Sequence, residues 1–232
     1  MIKNTLEQVI SEDLAEIWTI LDNDEKRLVI DNFTIHDFKK NQIIYAEGET
    51  PEYLWCLLNG KVKKFKDGIG GRQQILRLHR PVQYFGYRAY FAKELYVSRA
   101  DAFEASTIGT VPLKLVDEFI YKNNKLAWFI IQELSRNLGG SDAKIVNLTQ
   151  KHIRGRLAEA LIVLKDSYGY EDDDSTLRIY MAREDLANLS NMTSSNAIRT
   201  LTSFVNEKII AVDGRRIKII NEQMLRKISK FG

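Results

Sequence analysis

The sequence predicts an α+β fold: an N-terminal antiparallel β-roll, then a long helix, then a small domain of short helices that ends in a hairpin. Three observations predict it. Short runs of β-branched and aromatic residues alternate with glycine turns through most of residues 1–113. The apolar residues then change to helical spacing over 114–150. In 151–232, helical segments precede two β-type runs joined by Asp213-Gly214. We therefore predict three parts, with boundaries at 1–113, 114–150 and 151–232.

The composition is that of a globular chain and excludes several kinds of site. The chain has 232 residues, of which 44% are hydrophobic. Its single cysteine, Cys56, excludes an internal disulfide and any zinc or iron–sulfur site built from several cysteines. His36, His79 and His152 are too far apart for a local metal motif, so we predict no metal and no cofactor. No apolar run approaches the length that spans a bilayer, and the first residues lack a signal segment. We expect a cytoplasmic protein with no membrane partner.

The β-roll is predicted from closely spaced strands. A short amphipathic helix over about 12–30 comes first. The predicted strands are Ile43–Tyr45, Tyr53–Leu58, Val62–Phe65, Gln74–Leu78 and Val97–Phe103. Gly68, Gly70 and Gly71 indicate a hairpin turn, because no helix opens there as a dinucleotide-binding loop requires. Strands at this even spacing favour a small antiparallel barrel or jelly roll.

The long helix carries an apolar seam with alternating spacings of four and three residues. The seam consists of Ala127, Ile131, Leu134, Leu138, Ser141, Ile145 and Leu148. Two helices wind around each other at this period, whereas a helix packed only on its own domain needs a wider apolar stripe. We interpret residues 128–130 as packing on the β-roll and the seam as facing a second copy of the chain. Gly139-Gly140 costs about 1 kcal/mol per glycine relative to alanine, so either a closely approaching second backbone or a local break explains the pair.

The C-terminal segment has a definite order of elements. We predict a helix over Ile153–Leu164, an acidic loop over 166–175 and a short strand over Leu177–Tyr180. The loop lacks the residue pattern of a calcium loop, so we interpret it as a solvated turn. Helices over Arg183–Leu189 and from Thr193 to about Asn206 follow. The turn between them contains Asn191, a residue type that tolerates a left-handed backbone.

These two helices divide into an apolar side and a polar side. The predicted core side consists of Leu186, Ala187, Met192, Ala197, Ile198, Leu201 and Phe204. The other side presents Ser194, Ser195, Asn196, Arg199 and Ser203. This layout is typical of a helix-turn-helix, whose second helix enters the DNA major groove. Asparagine can pair with adenine, arginine with guanine, and serine with either kind of base edge. A surface helix with ordinary polar residues is the alternative.

The hairpin that follows favours the nucleic-acid interpretation. It places Arg215, Arg216 and Lys218 at its tip and on one strand, as in a wing that contacts phosphates. Residues 175–232 hold 10 Lys/Arg against 5 Asp/Glu, whereas residues 1–150 are neutral. The predicted DNA contacts are Arg183, Thr193, Ser194, Ser195, Asn196, Arg199, Arg215, Arg216 and Lys218. Asn196 and Arg199 are our choices for base reading.

With these features the chain resembles the Crp/Fnr family of dimeric bacterial transcription regulators over nearly its whole length. Glu47-Gly48-Glu49, Gly60 and Phe85-Gly86 match the glycine framework of the family's cyclic-nucleotide-binding-like jelly roll. Residues 183–210 match the helix-turn-helix of the family's winged DNA-binding domain. The resemblance implies a homodimeric regulator that binds double-stranded DNA at an inverted repeat. RNA polymerase is a further candidate partner, and no catalysis is expected.

The chain departs from that family where cyclic nucleotides bind. The resemblance places a glutamate for the ribose after the Phe-Gly pair, where Tyr87 stands, and an arginine for the phosphate where Val97 stands. Without that arginine, the negative charge of a buried phosphate has no positive partner to compensate for its loss of hydration. We therefore expect no cyclic AMP binding in the usual manner. The candidate effector pocket comprises Gly86, Tyr87, Arg88, Ser98 and Arg99. Arg88 or Arg99 could attract a different anion or serve only a structural role.

The recognition helix departs from the family as well. Ser194 and Ser195 stand where many members carry arginine and glutamate, while Arg199 keeps the later arginine position. The preferred operator should therefore differ from the best-known family sites. An alternative function is a regulatory module that binds a cyclic nucleotide or another small anion and acts on a protein partner. We set an enzyme aside, because the scattered histidines offer no cupin-like metal site.

Overall fold

The computed structural model of the chain describes residue 8, residues 10 and 11, and residues 14–232. It confirms the α+β class and divides into two compact units. One unit contains the residues up to 66 together with 76–138, and the other contains 67–75 together with 139–232. The three-part division at 113 and 150 stays a prediction.

The predicted antiparallel β-roll is confirmed. Its strands are β1 Thr34–Phe38, β2 Ile43–Tyr45, β3 Tyr53–Asn59, β4 Val62–Asp67, β5 Gln73–His79, β6 Gln83–Phe85, β7 Arg99–Ala102 and β8 Ser106–Pro112. They form two four-stranded sheets with strand orders β1-β8-β3-β6 and β2-β7-β4-β5. A buried apolar cluster that includes Val62, Phe85, Ala100, Ala102 and Ile108 lies in the interior of the roll. The strand predicted at 97–103 is shorter than expected.

The helices are α1 Ala15–Trp18, α2 Asn23–Asn32, α3 Tyr87–Phe91, α4 Leu113–Lys122, α5 Asn124–Gln150, α6 Ile153–Tyr168, α7 Arg183–Leu189, α8 Ser194–Asn206 and α9 Glu222–Phe231. The single helix predicted over 12–30 is wrong where it is described, because a capping box formed by Asp22 and Glu25 starts a separate helix α2. Residues 12 and 13 lie outside the described residues. The helical stretch at 114–150 is divided at Asn123, whose side-chain oxygen accepts hydrogen bonds from the backbone N–H groups of Lys125 and Leu126.

Helix α5 runs without interruption for 27 residues through Gly139-Gly140. A local break therefore does not account for the two glycines. A side chain added at Gly139 would meet no atom within 4 Å in the single chain. No helix among the described residues is both long enough and apolar enough to cross a membrane.

The C-terminal segment forms α6, α7 and α8, then a hairpin of β9 Ile210–Asp213 and β10 Arg216–Ile219, and finally α9. The predicted Asp213-Gly214 turn is confirmed, with Gly214 at φ 54°. The strand predicted at Leu177–Tyr180 is wrong. This stretch makes only isolated bridges, because Leu177 pairs with Tyr170 while the preceding residue pairs with Lys218 in β10.

Candidate nucleic-acid interface

The turn between α7 and α8 has the geometry that its sequence predicts. Asn191 adopts a left-handed backbone with φ 51°. The N–H of Met192 donates to the carbonyl of Ala187 at 3.0 Å, which closes the turn. Thr193 caps α8, since its hydroxyl accepts a hydrogen bond from the N–H of Asn196 at 3.2 Å. These contacts fix the start of α8, the part of the helix with the predicted base-reading residues.

A segment distant in sequence also holds this turn. Within the unit formed by 67–75 and 139–232, the Arg72 guanidinium donates to Oδ1 of Asn191 at 2.7 Å. The Gln74 amide donates to the backbone carbonyl of Asn188, also at 2.7 Å. Sequence reasoning missed both contacts, because they join residues more than 100 positions apart.

The apolar side of the motif is confirmed except at one position. The buried residues are Leu186, Ala187, Met192, Ala197, Leu201 and Phe204. Ile198, predicted to lie in the core, is 50% exposed. The buried stripe follows residues 197, 201 and 204, and Thr200 completes it instead. Because each helical residue turns by about 100°, residue 198 lies to the side of this stripe.

The exposed side of α8 carries the predicted polar residues. Ser194, Ser195 and Arg199 are exposed and Asn196 is half-buried. Arg199 donates from Nη2 to Oδ1 of Asn196 at 2.5 Å, so the two residues chosen for base reading form one pair. Ile198 lines an open groove on α8 together with Ser195 and Arg199. This surface therefore offers hydrogen-bonding groups together with one aliphatic side chain.

The C-terminal half of α8 is anchored to α6. Arg154 donates to both carboxylate oxygens of Glu207 at 2.8 Å and to the Ser203 hydroxyl at 2.6 Å. Hydrogen bonds from Arg154 and Ser203 lower the pKa of Glu207 to about 2. The Arg154 guanidinium also lies 4.9 Å from the ring centre of Phe204. Ser203 thus serves this anchor rather than the exposed reading surface.

The predicted phosphate-contact residues of the wing differ in their surroundings. Arg215 and Arg216 are exposed, and the Arg216 guanidinium lies 5.5 Å from the ring centre of Tyr180. Lys218 forms an ion pair with Asp173 of the acidic loop at 3.3 Å. Arg183 donates from Nη2 to the carbonyl of Gly214 at 2.7 Å and so connects the start of α7 to the wing tip. Arg215 and Arg216 are therefore the wing cations most open to a polyanion.

The residues of the predicted effector pocket are largely engaged with the protein itself. The Tyr87 hydroxyl accepts a hydrogen bond from the Asn137 amide at 3.1 Å, and burial raises the pKa of Tyr87 to about 12. Ser98 is buried, and Gly86 has φ 89° next to the Trp55 indole. The two arginines have carboxylate partners: Arg88 lies 3.1 Å from Glu94, and Arg99 binds Asp101 through two hydrogen bonds.

Sequence reasoning missed two cations of the β-roll, Lys64 on β4 and Arg77 on β5. Arg77 donates to the side-chain oxygen of Asn137, the residue that also contacts Tyr87. In the part of the chain that the structure describes, no group of three or more His, Cys, Asp or Glu side chains could hold a metal ion.

The predicted seam of α5 is strongly exposed in the single chain. Ile131, Leu138 and Ile145 are 51%, 64% and 59% exposed. The other apolar seam positions, Ala127, Leu134 and Leu148, are half-buried. Phe129 and Ile130 pack in the core as expected, but the packing predicted for Trp128 is wrong, because its side chain is 60% exposed. Trp128 precedes the buried pair and turns away from it.

Comparison with known proteins adds independent findings. Residues 35–123 match the family described as "Cyclic nucleotide-binding domain", and residues 155–228 match the "Crp-like helix-turn-helix domain". The "Fumarate and nitrate reduction regulatory protein" of Vibrio cholerae is 26% identical over 82% of this chain and 76% of its own length.

Solved structures share the fold. FixK2 from Bradyrhizobium japonicum superposes with a TM-score of 0.77 at 21% identity, covering 84% of this chain and 96% of its own. A transcriptional regulator of the CRP/FNR family from Thermus thermophilus gives a TM-score of 0.70 at 20% identity, covering 85% of this chain and 98% of its own.

Proposed function

Since this chain belongs to the Crp/Fnr family of transcription regulators, we propose that it acts as a homodimer that binds an inverted-repeat operator through its winged helix-turn-helix. The observation that carries the proposal is the exposed face of α8. There Arg199 is hydrogen-bonded to Asn196 and lines an open groove with Ile198, near the start of a capped helix. Such a protein works where DNA and RNA polymerase are, so we place it in the cytoplasm.

Dimerisation is supported by the exposed apolar side chains of α5. Ile131, Leu138 and Ile145 are separated by seven residues, and each is more than half exposed. Burying three aliphatic side chains from each of two chains contributes several kcal/mol to association. A second α5 also supplies a reason for Gly139-Gly140, because glycines let two backbones approach closely. The two recognition helices then face successive major grooves, about 34 Å apart.

Base reading is assigned to three neighbouring side chains of α8. Arg199 can donate two hydrogen bonds to guanine, and Asn196 can pair with adenine. The exposed Ile198 can contact the 5-methyl group of thymine, which is the apolar group of the major groove. Ser194 and Ser195, exposed on the first turn, complete the reading surface.

Phosphate contacts are assigned to the wing and to the start of α7. Arg215 and Arg216 are exposed and contact the DNA phosphates. Arg183 holds the wing tip through its hydrogen bond to the Gly214 carbonyl. Lys218 contributes when it exchanges Asp173 for a phosphate. These contacts position the protein on DNA and do not distinguish sequences.

Cyclic AMP is not the proposed effector. Tyr87 is buried and hydrogen-bonded where the resemblance calls for a ribose-binding carboxylate. Val97 is 45% exposed and supplies no charge for a cyclic phosphate. We therefore propose that operator binding does not depend on cyclic AMP.

The direct test is selection of bound duplexes from a random-sequence pool by the full chain, followed by sequencing. We expect an inverted repeat whose half-site centres lie about 10 base pairs apart, with and without cyclic AMP. The proposal fails if no sequence is enriched at low salt, or if the enriched sequences lack twofold symmetry.

A further inference from the structure

Lys64 points into the interior of the β-roll. On β4 it lies two residues after Val62, so the two side chains share one face of the strand. Across the ladder, Val62 pairs with Ala102 and Lys64 pairs with Ala100, and both alanines are fully buried members of the interior cluster. Lys63, the preceding residue, lies on the opposite face, where its ammonium approaches the Phe65 ring.

The neighbouring strand β5 places a second cation on the same side. Arg77 and His79 alternate along β5, so they share a face. His79 is buried and stacks on Phe85, a member of the interior cluster, at 4.8 Å. Arg77 therefore faces the interior beside Lys64, since β4 and β5 are neighbours in the sheet.

This pair of cations lacks a compensating negative charge. Among the described residues, Lys64 makes no hydrogen bond or ion pair, and Arg77 has the neutral amide of Asn137 as its partner. Burial, followed by the positive charges of Arg77 and Arg88, lowers the pKa of Lys64 to about 8. Burial also lowers the pKa of His79 to about 3, so His79 adds no charge at neutral pH. Two inward-facing like charges without a counter-ion are costly, and a bound anion would remove that cost.

We propose that the β-roll binds a small oxyanion with at least two negative charges between Lys64 and Arg77. This inference deepens the proposed function, because it names the chemical class of the effector. The site uses neither of the arginines expected from the sequence to bind an anion, Arg88 and Arg99, because Glu94 and Asp101 already occupy them. A phosphate ester and a polycarboxylate both have the required charge and oxygen acceptors.

The site is connected to α5 through Asn137. That residue accepts a hydrogen bond from Arg77, donates one to Tyr87 and directly precedes Leu138 of the seam. An anion that draws the Arg77 guanidinium away from Asn137 frees the amide oxygen next to Leu138, the most exposed apolar residue of the seam. Binding of the anion can thereby change the hydrogen bonding of α5, the helix through which two chains are proposed to associate.

The test is isothermal titration of the full chain, without DNA, with inorganic pyrophosphate and with citrate. Ionic strength is held constant with sodium chloride, so that general screening is excluded. We expect saturable binding of at least one probe, with one site per chain. Lys64→Gln and Arg77→Gln should each weaken binding at least tenfold. Lys63→Gln, which removes the same charge from the opposite face of the same strand, should change binding less than twofold.

Two further controls make the result decisive. The double variant Arg215→Ala/Arg216→Ala removes the exposed wing cations and should leave the affinity for pyrophosphate or citrate unchanged within twofold. Circular dichroism should show that Lys64→Gln folds at least as stably as the parent, since it removes a buried charge. The inference is overturned if neither probe binds saturably, or if Lys63→Gln weakens anion binding as much as Lys64→Gln does. It is also overturned if the wing double variant abolishes anion binding. A chain that selects an operator but binds neither anion contradicts this inference alone.

Discussion

Helices α5 and α8 expose opposite kinds of side chain. On α5 the exposed seam is aliphatic, with Ile131, Leu138 and Ile145 each more than half exposed. On α8 the exposed residues are mostly polar and include Ser194, Ser195 and Arg199, while Ile198 and Val205 are its exposed aliphatic residues. Both helices also bury a conventional apolar stripe against their own domain. We infer from this difference that the chemistry of an exposed face, rather than its exposure alone, indicates which kind of partner it binds.

The two faces should therefore respond differently to substitution. An apolar face gains its free energy from area removed from water, and one inserted charge is enough to abolish that gain. A base-reading face gains selectivity from individual hydrogen bonds, and each lost bond affects one base position.

Leu138→Glu should cause the largest effect, because it places a carboxylate in the middle of the proposed seam. We expect dimer affinity to fall by at least about 100-fold, since two charges would be buried without partners. Sedimentation equilibrium measures the change. Gln132→Glu, on an exposed position of α5 outside the seam, is the control and should leave association intact. Equal dimerisation of the Leu138→Glu and Gln132→Glu proteins would place the interface elsewhere.

Arg199→Ala should reduce selectivity at one symmetric guanine position of each half-site. The lost bidentate pair is worth about 1–3 kcal/mol, while binding to random duplex should change little. Competition between the selected operator and base-substituted operators measures the effect. Arg178→Ala removes one exposed positive charge outside α8 and the wing, and it should preserve selectivity. If both variants keep the parent's selectivity, Arg199 does not read a base.

Arg215→Ala should weaken binding to all DNA duplexes by the same factor, whatever their sequence. Each dimer would lose two phosphate contacts, so the slope of log affinity against log salt concentration should become shallower by about 2. Titrations at several salt concentrations give this slope. A loss confined to the operator, with an unchanged slope on random duplex, would make Arg215 a base reader instead.

Ile198 should contribute the smallest effect. Replacing the contacted thymine by uracil removes one methyl group, worth about 0.8 kcal/mol, or roughly a fourfold loss of affinity for the parent chain. The same replacement should not affect Ile198→Ala. An equal loss in the parent and in Ile198→Ala would show that another residue contacts the methyl group.

Local sequence features predicted the helix-turn-helix well. The Asn191 turn, the Thr193 cap and the Asp213-Gly214 hairpin depend on residues close together in the chain, and all three are present. Ile198 was wrongly assigned to the core, because an apolar residue type does not show whether the side chain lies within the buried stripe or beside it. Thr200 is buried although it is polar, so the position of a residue on the helix, and not its type, determines whether its side chain is buried.

Contacts between distant strands could not be predicted in the same way. The inward direction of Lys64 follows from its register with Ala100, which sequence alone does not provide. Strands β1 and β8 were missed because β1 is largely exposed and β8 contains Gly109 and Pro112, which are weak strand formers. The contact between Arg183 and the Gly214 carbonyl likewise depends on how α7 meets the wing.

The central claim is that two chains read one operator in fixed twofold register. The most direct measurement is the mass and affinity of complexes formed with the selected operator and with a variant carrying five extra base pairs between its half-sites. The insertion rotates one half-site by about half a turn. Our account predicts two chains per duplex on the parent operator and a large loss of affinity on the variant. Equal affinity for both duplexes, or a single chain bound to the parent operator, would contradict it.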